Sequence, residues 1–276
     1  MLIDVHTHIG AYKDVKVKGI WGQVTIERLL EYLNTWTIDR AVVLPIESPN
    51  TARREGYFMP TGHVLEVCDS FPERLIPFCH VDSRDADFLQ KIRRFIHLGC
   101  KGFGEHKVEL RVDDLRSQEI YRLCGKLDVP VLIHMDGIYN LDPEAYERMV
   151  RKFSNTVFIA HGPGWWKEIS SQVDPNVDYP PGKVEPGGRA DRMLQEYPNA
   201  YGDLSAGSGH NALQRDLDFA KDFVRRNYRK LLFGTDLVEF FDKAYNHIKL
   251  IDSLNLEDPM YQAIMHKNVE SLLKLK

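Results

Sequence analysis

Met1-Leu-Ile-Asp-Val-His-Thr-His8 opens the chain, with apolar residues at 2, 3 and 5 and two histidines flanking one threonine. In an extended strand, side chains two apart share a face, so His6 and His8 would aim two imidazoles at one point. Imidazole nitrogen suits a transition metal such as zinc. Two histidines make half a site, and the remaining donors must come from elsewhere in the chain.

Seven further short apolar runs follow, six of them ending in a polar residue. They are Arg40–Ile46, Leu75–Asp82, Cys100–Lys107, Val129–His134, Thr156–His161, Ala200–Ser205 and Lys230–Asp236. Near-continuous apolar runs fit strands covered on both faces, as in parallel sheets. Between them, Thr25–Trp36, Asp87–Leu98, Gln118–Lys126, Pro143–Phe153, Arg189–Tyr197 and Asn211–Asn227 read as helices, and Asp258–Lys276 reads as a closing one. Eight strand-helix units predict an α/β fold, a (β/α)8 TIM barrel, with residues 1–276 forming a single domain. A doubly wound open sheet is the alternative, weakened by the lack of a glycine-rich phosphate turn. Two connections are long. Residues 47–63 and 162–188 read as loops of the kind that form lids, the second carrying Gly162-Pro-Gly-Trp-Trp166.

The formal charge of −4 disfavours nucleic-acid binding. No apolar run approaches the ~18 residues of a membrane span. No basic segment or cleavage site precedes the first strand, and Cys68, Cys79, Cys100 and Cys124 show no CxxC spacing. We therefore expect free structural cysteines and a cytoplasmic protein. A small-molecule substrate is the expected partner, and pairing into a homo-oligomer is compatible with the fold.

Catalytic groups of a barrel gather at the C-terminal ends of its strands. Those ends carry His6, His8, Asp82, Glu105, His106, Lys107, His134, His161, Asp203 and Asp236. A lone histidine is more often structural. Recurrence at the same place in successive units favours a site.

Asp4-Val-His-Thr-His8, Val131-Leu-Ile-His134, Phe158-Ile-Ala-His161 and Leu232-Phe-Gly-Thr-Asp236 together resemble the amidohydrolase superfamily of metal-dependent hydrolases, in the branch that also holds decarboxylases. The resemblance covers essentially the whole chain. It implies metal ligation by His6, His8, His134 and Asp236, with His161 binding a second metal or contacting substrate. It also implies a bridging carboxylate on the third or fourth strand, for which Glu105 is the candidate; a salt bridge to Lys107 or an arginine is the alternative. If the fourth strand runs on, Lys107 shares the face of Glu105 and His106 faces the helices. If it ends early, His106 could enter the site.

The implied cofactor is a divalent metal, zinc foremost, as one or two ions. The implied chemistry is attack by a metal-activated water, with Asp236 accepting its proton and metal or His161 polarising the carbonyl. Lys107, Trp165 and Arg189 are candidate substrate contacts: Trp165 as an apolar wall or a loop anchor, Arg189 as a carboxylate clamp or a solvated helix start. The leading expectation is hydrolysis of a small amide, ester or lactone. Non-oxidative decarboxylation of a small carboxylic acid is the second, favoured by a single ion and a pocket lined by Arg189 or Lys107. A binding protein with a structural metal is the third, disfavoured because structural zinc sites are usually cysteine-rich.

Overall fold

The structure, a computed structural model, describes residues 1–10, 24–55, 58–237 and 243–275. Among them lie eight parallel strands: β1 (Ile3–Thr7), β2 (Arg40–Val43), β3 (Leu75–Pro77), β4 (Phe103–His106), β5 (Val131–His134), β6 (Phe158–His161), β7 (Ala200–Asp203) and β8 (Leu231–Leu232). They pair in sequence order as β1-β2-β3 and β4-β5-β6-β7-β8. Two seams join the halves. Cys79 bridges Phe103, and Thr7 bridges Leu237 beyond β8. The Val5 amide donates to Phe233 O, and the Asp236 amide to His6 O, closing the (β/α)8 barrel.

Side-chain alternation fills this barrel from both faces. Ile3, Val5, Val42, Leu44, Ile76, Phe78, Leu132, Ile159 and Leu232 pack together inside it. Phe103, Val131, Ile133, Phe158 and Ala160 belong to a separate layer with helix residues such as Tyr121, Tyr146 and Phe223. Burial on both faces is why these strands read as unbroken apolar runs. Strand β4 passes close to its neighbours. A Cβ at Gly102 would lie 2.4 Å from the Phe78 ring, and one at Gly104 would lie 2.8 Å from Leu132 O.

Two strands carry a one-residue register shift. On β1, Asp4 to Thr7 spans three residues against two on β2, Ala41 to Val43. On β4, Phe103 to His106 opposes Val131 to Ile133. Such an extra residue re-aims side chains at the end of a strand. It lets β1 point Ile3 and Val5 inward and then His6 and His8 as well.

The helices sit close to their expected places, with differences that have physical causes. Thr25 caps Ile26–Thr35 by accepting from the Arg28 amide. The expected helix 211–227 is two helices, Ala206–Gln214 and Leu217–Asn227. Asp216 starts the second by accepting from the Phe219 amide. The connection 47–63 holds the helix Pro49–Glu55, and Thr61–Ser70 follows it. The Gly162 loop begins with the short helix Pro163–Trp166. A further helix, Lys243–Ser253, was not expected. All four cysteines are free and buried. No described helix is long and apolar enough to cross a membrane.

Candidate metal centre

The strand ends bring His6, His8, Glu105, His134, His161 and Asp236 into one cluster around the Glu105 carboxylate. On one side, Glu105 Oε2 lies 3.5 Å from His8 Nε2 and 3.9 Å from His6 Nε2. The two Nε2 atoms are 3.1 Å apart. Asp236 Oδ1 stands 3.6 Å from His6 Nε2 and 3.5 Å from His8 Nε2. On the other side, His134 Nδ1 donates to Glu105 Oε1 at 2.6 Å, and His161 Nε2 lies 3.8 Å from the same oxygen.

Each imidazole is oriented by an oxygen on its far nitrogen. His6 Nδ1 donates to Asp203 Oδ2 at 2.6 Å, and His8 Nδ1 donates to Leu44 O at 2.9 Å. His134 Nε2 pairs with Asp136 Oδ2 at 3.0 Å. His161 Nδ1 lies 3.1 Å from Asp203 Oδ2 and 3.0 Å from Ser205 Oγ. For His6, His8 and His161, fixing one nitrogen this way sets the tautomer and turns the other toward a common point, as metal-binding histidines require.

The donor set fits a divalent ion. Bonds of about 2.0–2.2 Å in a tetrahedron separate ligand atoms by about 3.3–3.6 Å. His6 Nε2, His8 Nε2 and Asp236 Oδ1 form a triad with separations from 3.1 to 3.6 Å, and Glu105 Oε2 lies 3.5 and 3.9 Å from the two histidine nitrogens. Donor atoms of His6, Glu105 and His161 form a second triad whose members lie within 4.8 Å of one another. His134 is outside both triads, since both its ring nitrogens face carboxylates.

Electrostatics suit the same use. Burial, with the His161 charge, lowers the His6 pKa, which leaves its ring neutral with a lone pair to give. Burial alone would raise Glu105, but His134, Lys107 and His6 outweigh it and hold the carboxylate well below its usual range. Burial would also raise Asp203, yet His6 and His161 keep it ionised. Burial and Lys107 push His134 down, but Glu105 and Asp136 prevail and its pKa is raised. Asp136 is held at about 2, its burial outweighed by His134 and two backbone amides.

Gly234-Thr-Asp236 has one task per residue. A Cβ at Gly234 would lie 2.7 Å from Asp203 Oδ1. Thr235 donates from its amide and hydroxyl to Asp4, at 3.0 and 2.6 Å. Asp236, at φ 55°, presents its carboxylate to the histidine pair. Asp4 is buried, and the loss of water raises its carboxyl to about 7.

The other expected residues are placed as follows. Strand β4 ends at His106, which faces the helices against Ser117 and Tyr121. Lys107 follows the strand, its ammonium 5.3 Å from the Tyr139 ring and its charge felt by Glu105 and His134. Two substrate contacts require correction. Trp165 is 1% exposed and packs edge-on against Tyr146 and Trp166, so it anchors its loop instead of walling the cluster. Arg189 starts a helix and spends its guanidinium on Glu147 at 2.7 Å and Glu168 at 3.2 Å, so it is not offered to a substrate. Sequence reasoning assigned no role to Asp136, Asp203 or Ser205. The signal for Asp203 was its place at a strand end. Asp136 lay two residues past His134, where an extended chain repeats its face.

Comparison with known proteins follows the geometry. Among solved structures, an uncharacterised TIM-barrel protein from Bordetella bronchiseptica matches with a TM-score of 0.75 at 16% identity, over 99% of this chain and 98% of that one. A 5-carboxyvanillate decarboxylase from Novosphingobium aromaticivorans, complexed with manganese, matches at 0.67 and 13%, over 100% and 96%. A probable 2-pyrone-4,6-dicarboxylic acid hydrolase from Acinetobacter baumannii matches at 0.66 and 13%, over 99% of each chain. At these identities the likeness is one of fold. No curated protein matches the chain. A family model described as Amidohydrolase does match, from residue 3 to residue 275, and on that match the chain belongs to the amidohydrolase family.

Proposed function

We propose that the chain is a metal-dependent hydrolase of small amides, esters or lactones, in which Glu105 bridges two ion positions. One observation carries this reading: Glu105 turns Oε2 toward His6 and His8, and Oε1 toward His134 and His161. A carboxylate that serves a single ion has no need of histidines on both oxygens. His6, His8 and Asp236 would hold the first ion with Glu105, and His161 the second, which His134 would join on losing the Nδ1 proton it gives to Glu105. Zinc is the expected ion, and the His and carboxylate set also accepts manganese.

A divalent ion in such a site supplies Lewis acidity, lowering the pKa of a water from about 15.7 toward about 7. Asp236 accepts the proton of the attacking water and returns it to the leaving group. His161, held at Nδ1 by Asp203 and Ser205, would turn its Nε2 lone pair toward the second ion position beside Glu105 Oε1. Lys107, whose charge acts on Glu105 and His134, would meet an anionic group on the substrate.

Decarboxylation is the second reading. It is favoured by Lys107, whose cation beside Glu105 and His134 could hold a substrate carboxylate. Elemental analysis of wild type and Glu105→Ala separates the two. Two ions per chain, falling to about one in the variant, support the bridged hydrolase, and esters, lactones and amides are then screened. One ion, unchanged by the substitution, sinks it and moves the screen to carbon dioxide release from aromatic and unsaturated acids.

A further inference from the structure

Asp203 stands behind the cluster at the end of β7, and one of its oxygens meets three side chains. Oδ2 receives His6 Nδ1 at 2.6 Å, lies 3.1 Å from His161 Nδ1, and accepts from Ser205 Oγ at 2.9 Å. Oδ1 accepts from the Ser205 amide at 2.9 Å. The residue is fully buried. Its backbone is held too, since Trp166 Nε1 donates to Asp203 O at 2.8 Å. The space it fills is kept open by Gly234.

We propose that Asp203 is a shared positioning residue that fixes the tautomers of His6 and His161 together, and so sets both halves of the centre with one carboxylate. The argument rests on hydrogen counting. An ionised carboxylate only accepts, so each imidazole facing it must carry its proton on Nδ1. Ser205 does not disturb this, because its hydroxyl proton goes to Asp203 and its lone pair remains to accept from His161. Both Nε2 atoms are then lone pairs, 3.9 and 3.8 Å from the two oxygens of Glu105. His8 and His134 use other oxygens, Leu44 O and Asp136, so Asp203 acts on one histidine from each pair.

This inference rests on the two-ion reading for its consequence, though not for its test. Long-range proton-nitrogen NMR on the metal-free protein reads each histidine's tautomer directly. Wild type is expected to show His6 and His161 as Nδ1-protonated, and Asp203→Asn to convert both mainly to the Nε2-protonated form. Competition titration with cobalt is expected to show both ions binding about 10- to 100-fold more weakly in that variant. Unchanged tautomers, or a change confined to His6, overturn the proposal. Should Asp203→Asn fail to fold, Ser205→Ala keeps the carboxylate and is expected to leave both rings Nδ1-protonated. Conversion of His161 in Ser205→Ala would assign its orientation to the serine and overturn the shared role. A wild type that binds one ion defeats the bridged hydrolase, while the metal-free tautomers still decide the role of Asp203.

Discussion

At position 234 even a methyl group has no room. A Cβ there would lie 2.7 Å from Asp203 Oδ1, 3.0 Å from Ser205 Cβ and 3.2 Å from Val5 Cγ2. None of the three is the free end of a flexible chain, because Asp203 is tied to His6 and Ser205, and Val5 is packed inside the barrel. Overpacking of this kind costs about 1–3 kcal/mol. Gly234→Ala should therefore lower unfolding stability by that amount in urea titrations of the metal-free protein. It should also move the Asp203 carboxylate, so cobalt should bind more weakly to folded Gly234→Ala than to wild type. A variant with wild-type stability would show that the Asp203 side is more yielding than its hydrogen bonds indicate.

At the scale of elements, β3 and β4 show what a sequence can and cannot reveal. The eight strands were legible because parallel strands covered on both sides need apolar residues throughout, as Val131-Leu-Ile and Phe158-Ile-Ala do. The candidate histidines were legible because they stand at the ends of such runs. The register shifts in β1 and β4 were not, since an extra residue leaves the apolar pattern intact and is fixed by the neighbouring strand. Nor was the fate of Arg189, which depends on Glu147, 42 residues away. The same layer holds a prediction. His80, past the end of β3, and His106, at the end of β4, are buried with ring centroids 6.0 Å apart. His80 Nε2 and His106 Nδ1 have no hydrogen-bond partner. Burial lowers the two pKa values to about 4 and about 3, with the His80 charge adding to the second. The unfolded chain takes up these protons near pH 6.5 and the folded chain does not, so ν_U exceeds ν_N between those limits. Stability is therefore complete above pH 6.5 and lost as pH falls toward 4, by up to roughly 2 kcal/mol per histidine at pH 5. Urea titrations at pH 7.5 and pH 5, without metal, should show this loss. His106→Leu should remove its own share, and an equal loss in that variant would assign the pH dependence to other groups.

On the scale of the whole molecule, the candidate centre sits across a seam of the barrel. His6 belongs to the three-stranded sheet and His8 follows its first strand, whereas Glu105, His134 and His161 belong to the five-stranded one and Asp236 follows its last strand. An ion shared by His6, His8, Glu105 and Asp236 would fasten the two sheets to each other. Binding to the native state alone stabilises by about 4.1 kcal/mol at a thousandfold excess over Kd, and about 2–4 °C in Tm accompanies each kcal/mol in a chain near this size. Chelation should then lower Tm by roughly 10 °C, which calorimetry can check. The loss should also be local. Seam amides of Val5, His8 and Asp236 donate to Phe233, Leu237 and His6, whereas the Val131 amide donates to Val157 within the five-stranded sheet. Hydrogen exchange of the chelated protein should accelerate at the first three and stay close to its original rate at Val131, because only the seam loses a cross-link. Equal acceleration at all four amides would mean that the ion supports the barrel as a whole. No acceleration at the seam would mean that these four side chains do not share an ion.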